Sequence, residues 1–189
     1  VWVMLQLLDK GIKDYDYVFF CDEEVGGLGS KLFAKEHLID IIDYSCYISL
    51  DRTGSKEVAS YGYDNDDLVK VFTDTGYTSV WGSFTDCVNL SNVTEVACIN
   101  LSVGYNNEHT NSEVQDITVM YNLVNRLSND SIIDKLSTRE YRYDDIQVYN
   151  NQWSSYKEVL NDPMLCDCCG EHLPLYDCDV SGNSYYLCS

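Results

Sequence analysis

An α/β fold, a three-layer sandwich around a mostly parallel central sheet, is predicted by three features of this sequence. Short β-rich apolar runs alternate with segments of helical periodicity. Glycines and acidic residues punctuate the junctions between them. An apolar fraction of 45% over 189 residues is enough to bury a substantial core.

Residues 2–10 form an apolar helix that stops at Gly11. Residues 15–21, Tyr-Asp-Tyr-Val-Phe-Phe-Cys, are aromatic and β-branched, which predicts a buried strand. The acidic, glycine-rich residues 22–29 are a loop, and residues 30–37 return to helical spacing. Residues 45–50 predict a second strand, ending at Asp51-Arg52-Thr53-Gly54. A helix follows over 64–75, its early acids complementing the helix dipole. Residues 95–102 are an apolar strand and 103–111 a loop. From Ser112-Glu113 a helix begins, with Val114, Ile117, Val119, Met120, Leu123, Val124 and Leu127 expected on its buried side. Residues 1–138 thus make one compact unit, 139–161 a polar, Tyr-rich linker with room for one short helix, and 162–189 a cysteine-rich tail.

A formal charge of −19 argues against nucleic acid as a partner, because phosphate binding needs clustered Lys and Arg. No apolar stretch approaches the roughly 18–20 residues needed to cross a bilayer, so no membrane partner is expected. The start of the chain lacks the basic region and small-residue cleavage site of a signal peptide. Of the 9 cysteines, Cys21, Cys46, Cys87 and Cys98 are scattered singly, while Cys166, Cys168, Cys169, Cys178 and Cys188 crowd into the tail. That distribution predicts reduced thiols and a metal knuckle in a cytoplasmic protein, not a disulfide scaffold.

Ligands of open α/β sheets sit beyond the carboxyl ends of the strands. Three such places carry metal-ligating residue types: Glu23-Glu24 after the strand ending at Cys21, Asp51 after the strand ending at Leu50, and His109 in the loop after Ser102. Carboxylates and an imidazole suit zinc or a similar divalent ion. Adjacent glutamates can divide labour, one binding metal while the other takes a proton from water.

The run Phe19-Phe20-Cys21-Asp22-Glu23-Glu24-Val25-Gly26-Gly27-Leu28-Gly29-Ser30 resembles the Glu-Glu motif of the co-catalytic di-zinc exopeptidases, a group of zinc aminopeptidases, tripeptidases, carboxypeptidases and related deacylases. Ser49-Leu50-Asp51-Arg52-Thr53-Gly54 resembles its next ligand segment. Ser83-Phe84-Thr85-Asp86, Asn100-Leu101-Ser102-Val103-Gly104-Tyr105 and His109-Thr110-Asn111-Ser112-Glu113 resemble its C-terminal part. The similarity covers about residues 1–130, in the family's order. It implies a zinc-exopeptidase-like catalytic domain over 1–138, with Glu23 as general base and then proton donor to the leaving amine. Glu24 and His109 would hold one metal and Asp51 the other, with zinc, cobalt or manganese as candidates. Ser102, Gly104 and Tyr105 would line the substrate loop, and the substrates would be small peptides or acylated amino acids.

The family's earlier His-x-Asp motif and its bridging Asp in a Gly-x-Asp-Asp-like turn are not found, since Val1 to Leu8 already read as the helix that follows them. Two cations about 3.5–4 Å apart would then repel without a bridging carboxylate. The expectation is a chain that binds metal poorly and is nearly inactive alone, as part of a longer protein or one piece of a split one, with a homo-oligomer or the missing N-terminal segment as candidate partner. The stretch between Asp51 and His109 has room for a hairpin, a helix and a strand, and for no inserted domain.

In the tail, Cys166-Asp167-Cys168-Cys169-Gly170 contains the Cys-x-x-Cys-Gly turn of a zinc knuckle, and residues 185–189 resemble the start of a second. Within this sequence a partial zinc ribbon would use Cys166, Cys169, Cys178 and Cys188 for one structural Zn2+, with Cys168 or His172 as less favoured alternatives to Cys178. A non-catalytic interaction module, with the same fold and a cysteine-rich partner-binding tail, is the competing functional reading.

Overall fold

A computed structural model describes residues 1–61, 65–108, 110–142, 178–181 and 185–188. The chain divides into two units, residues 1–146 and 147–189. The first is mixed α/β, with a mostly parallel four-stranded sheet. Its strands are β1 (Tyr47–Arg52), β2 (Glu57–Ser60), β3 (Thr78–Trp81) and β4 (Cys98–Ser102), in the order β1-β4-β2-β3. β1 runs parallel to β4 and β2 parallel to β3, while β2 and β4 are antiparallel. The antiparallel pair has a simple origin. A tight reversal at residues 53–56, with Gly54 at φ 81°, sends β2 back against β1, and β4 later inserts between them.

Period-two alternation along the strands divides the core between the two faces of the sheet. Val58, Ile99 and Leu101 pack on one side with α1 (Trp2–Asp9), α4 (Asp66–Thr73), α6 (Ile117–Leu127) and α7 (Asp130–Ser137). Ala59 and Cys98 pack on the other with α2 (Leu28–Glu36), α3 (Leu38–Ile41) and α5 (Asp86–Thr94). β4 lies inside the sheet and is buried along its whole length. The carboxylate of Asp116 caps α6 by accepting from Thr118 N–H at 2.8 Å, and Asn129 caps α7 through Ser131 N–H at 3.1 Å. Tyr141 closes the unit, donating its N–H to Ser45 O and accepting from Ala97 N–H.

Several elements differ from the sequence expectation. Residues 15–21 form no strand; the tyrosine side chains hold them, with Tyr15 donating to Leu127 O and Tyr17 to Ile12 O. β1 extends to Arg52, so Asp51 lies inside the strand and not after it. The expected loop 103–111 contributes β5 (Tyr105–Asn106), paired antiparallel with β6 (Val114–Gln115). That pairing delays α6 to Ile117 and leaves Val114 and Ile117 exposed at 56% and 64%, outside the buried stripe where they were expected. Leu123, Val124 and Leu127 do face the core.

In the second unit, β7 (Cys178–Ser181) pairs antiparallel with β8 (Tyr185–Cys188), with Cys178 opposite Cys188. Among the described residues, no helix is long and apolar enough to cross a membrane.

Candidate functional site

The site begins with a bulge at the end of β1. Ser49 pairs with Asn100 and Arg52 with Ser102, so Leu50 and Asp51 together face only Leu101. The ladder bond that Asp51 loses is replaced by a side chain, because Asn100 Oδ1 accepts its N–H at 2.9 Å. Tyr105 Oη donates to Asp51 O at 2.7 Å. Both main-chain polar groups of Asp51 are therefore fixed by side chains from the β4–β5 segment. The side chain of Asp51 remains exposed. Desolvation raises its pKa above the usual carboxylate value, and the negative charges of Asp86 and Glu24 raise it further, against the opposing Val1 amine. Solvent screening keeps the energetic weight of that repulsion small.

Glu23 and Glu24 lie in a turn entered through Asp22 at φ 58° and left through Gly27 at φ 68°. The N–H groups of Gly26 and Gly27 both donate to Glu23 O at 3.0 Å. Glu23 is half-buried and Glu24 exposed. The turn is fastened to α5. Ser30 Oγ donates to Asp86 Oδ1 at 2.6 Å, accepts from Asn89 Nδ2 at 2.8 Å, and lies 3.0 Å from Gly27 O. A Cβ on Gly27 would stand 2.6 Å from Asn89 Nδ2 and 2.9 Å from both Phe84 and Ser30 Oγ, so only glycine fits there. Burial raises the Asp86 pKa, and the Ser30 hydrogen bond opposes the rise. Thr85, at the N-terminal boundary of α5, donates to Ser49 Oγ on β1 at 2.8 Å, so the same helix grips both carboxylate-bearing segments.

The three residues expected to line substrate take up backbone work. Ser102 is fully buried, donating to Thr53 O at 2.7 Å and accepting from Glu57 N–H at 3.0 Å. Gly104, at φ 95°, leaves no room for a Cβ beside Asp116 O at 2.6 Å. Tyr105 fixes Asp51 as described. His109, Cys166 and Cys169 lie outside the described residues, and Cys178 and Cys188 are placed only by their strand register.

Sequence reasoning gave no role to Asn100, Ser30, Asp86 or Asn89. The signal for Asn100 is its place in Cys98-Ile99-Asn100-Leu101, because a polar side chain inside an apolar central strand must find a partner. Ser30 and Asp86 sit within the quoted motif segments, but their mutual contact, 56 residues apart, leaves no periodic trace.

Glu24 and Asp86, from two other segments, act electrostatically on Asp51. Oxygen donors that repel each other are chemically suited to a divalent cation, and the Glu24 and Asp51 carboxylates fit that donor type. Among the described residues, no group of three or more His, Cys, Asp or Glu side chains is arranged to hold a metal ion. No family model, curated protein or solved structure matches the chain.

Proposed function

We propose that the chain belongs to a metal-dependent exopeptidase or amidohydrolase that cleaves small peptides or acylated amino acids. The observation that carries this reading is that α5 holds both carboxylate-bearing segments, with Asp86 accepting from Ser30 beside the glutamate turn and Thr85 donating to Ser49 on the strand that carries Asp51. Helix layers on both faces of a mostly parallel sheet support a three-layer, zinc-exopeptidase-like sandwich. The thiols of Cys21, Cys46 and Cys87, none of them in a disulfide among the described residues, support a reducing, cytoplasmic location.

Glu24 and His109 would hold one divalent cation and Asp51 a second, supplying Lewis-acid polarisation of the scissile carbonyl and a more acidic water. Glu23 accepts the proton of the attacking water on its carboxylate and passes it to the departing amine nitrogen. Asn100 and Tyr105 orient Asp51, while Ser30, Asp86 and Asn89 hold the glutamate turn. With Glu24, Asp51 and His109 as the proposed ligands, two cations would lack a bridging carboxylate, and this chain would hold them weakly. In the tail, Cys166, Cys169, Cys178 and Cys188 would share one structural zinc, a reading supported by the cross-strand register of Cys178 and Cys188.

Glu23→Gln in the full-length protein tests the reading. Metal content measured by mass spectrometry should be unchanged, while hydrolysis of dipeptide and acyl-amino-acid substrates falls by about 10³-fold or more, or roughly 4 kcal/mol. Undiminished turnover would remove the base. A metal-loaded wild type with no hydrolysis of either substrate class would favour the interaction module.

A further inference from the structure

Among the described residues, no strand pairs with the outer edge of β3. The main-chain groups it presents there follow from the ladder on its inner side. Thr78 N–H donates to Lys56 O at 2.8 Å and Gly82 N–H to Ser60 O at 2.9 Å, and the parallel register with β2 is unbroken from Thr78 to Trp81. Successive residues of a strand direct their N–H and C=O groups to opposite edges, so residues 78, 80 and 82 bond inward to β2. Ser79 and Trp81 therefore turn theirs outward.

This edge has none of the features that keep sheet edges apart. No residue from 75 to 85 is charged, none is proline, and no bulge interrupts β3. Thr78 and Ser79 are exposed, and Trp81 is 70% exposed, a large apolar surface to leave in water.

A second copy of the chain fits the edge in one register. In antiparallel pairing about a two-fold axis through Val80, Ser79 of each copy faces Trp81 of the other. Both residues have outward groups, so each such pair exchanges its two N–H···O bonds, and the symmetry repeats the pair. The side chains agree. Val80, packed against the core that contains Ala59 and Cys98, meets Val80 of the second copy and extends that core. Ser79 and Trp81 share the opposite face, that of Val58, where Trp81 covers Ser79 of the second copy. Charge favours the same occupant. Two chains of net charge −19 repel wherever acids meet acids, and residues 75–85 bring none to the contact.

We propose that the outer edge of β3 is a homodimer interface, through which two copies join their four-stranded sheets into one continuous sheet. Four paired residues fall short of the roughly 1,200 Å² of a stable standard interface, so the dimer is reversible, with a dissociation constant of about 10–100 μM. The pairing does not depend on the metallopeptidase reading.

Sedimentation equilibrium of the 189-residue chain tests it, in reductant and chelator to exclude association through cysteines or metal. The wild type should show a monomer–dimer equilibrium that tightens as salt is raised, because screening relieves the repulsion between two acidic chains. Ser79→Pro deletes an outward N–H that β2 does not use, a position where an edge strand tolerates proline, and should weaken the dimer at least about tenfold. Trp81→Glu keeps the ladder, sets an acid against the second copy and should weaken it as much. Ile39→Glu, which changes an 87% exposed side chain on α3, should leave the dimer intact. A chain that stays monomeric up to about 1 mM would overturn the proposal, as would a dimer that Ser79→Pro and Trp81→Glu leave as tight as the wild type.

Discussion

Tyr105 Oη donates to the carbonyl of Asp51 at 2.7 Å, tying β5 to the bulged end of β1. The complementary bond, from Asp51 N–H to Asn100 Oδ1, comes from inside the sheet. The two bonds differ in burial, and that difference sets their expected cost.

Tyr105→Phe should lower stability by about 1 kcal/mol, because water can reach the released carbonyl. Asn100 is buried, so Asn100→Ala strands a polar group where water cannot replace it and should cost about 2–3 kcal/mol. Urea unfolding of both variants checks the order. A larger loss at Tyr105 would mean that the Asp51 backbone is held from the loop side and not from the sheet.

Asp51→Asn should stabilise the metal-free protein, by less than about 1 kcal/mol given the exposure of the site. The sign follows from the pKa, which lies above the ordinary carboxylate value through desolvation, Asp86 and Glu24, with the Val1 amine opposing. A folded state that holds the proton more tightly than the unfolded chain is favoured below the unfolded value, and that advantage is lost as pH rises through the folded value. Wild-type stability should therefore fall as pH rises above the ordinary carboxylate value, and Asp51→Asn should flatten that slope. Asp86, also raised, contributes in the same direction and should leave a residual slope. Thermal melts in chelator across this range decide the matter; an unchanged slope would show that Asp51 titrates normally.

The elements legible in the sequence are those whose signal is local. Gly11 stops α1, the apolar run at 95–102 contains β4, and the helical spacing of Leu123, Val124 and Leu127 marks the buried face of α6. Val114 and Ile117 were misjudged because a two-residue pairing with Tyr105 and Asn106 competes with helix extension, and so short a ladder has no periodicity to read. β3 was invisible for another reason: Thr78, Ser79 and Trp81 are exposed on an edge strand, so no apolar alternation is written there. The candidate site divides along the same line. Its carboxylates stand out as residue types, whereas the residues that hold them, Asn100, Ser30 and Asn89, act through contacts between distant segments.

Gly27→Ala should be among the costlier single changes in the first unit. The left-handed backbone disfavours a side chain by about 1–2 kcal/mol, and the collision with Asn89 Nδ2 at 2.6 Å adds an overpacking cost of about 1–3 kcal/mol. Adding Asn89→Ala removes that collision but leaves Phe84 and Ser30 Oγ at 2.9 Å, so relief should be partial. A double-mutant cycle should give a coupling of at least about 0.5 kcal/mol. Strict additivity would show that the turn relaxes away from α5 instead of pressing on Asn89.

Metal affinity separates ligands from their supports. In the full-length protein, Glu24→Ala and His109→Ala each delete a proposed ligand and should cut zinc content at limiting free metal by well over tenfold. Asp86→Asn keeps a polar group beside Ser30 while removing a negative charge that acts on Asp51. Its expected effect is weaker, about tenfold in affinity, in line with an outer partner of a ligand. Asp134→Asn, at an exposed position of the otherwise core-packed α7, is the control and should change nothing. Zinc titrations of the four variants rank them. Equal losses for Asp86→Asn and Glu24→Ala would promote Asp86 to a direct ligand, while unaltered affinity in Glu24→Ala would sink the assignment of the glutamate turn to metal binding.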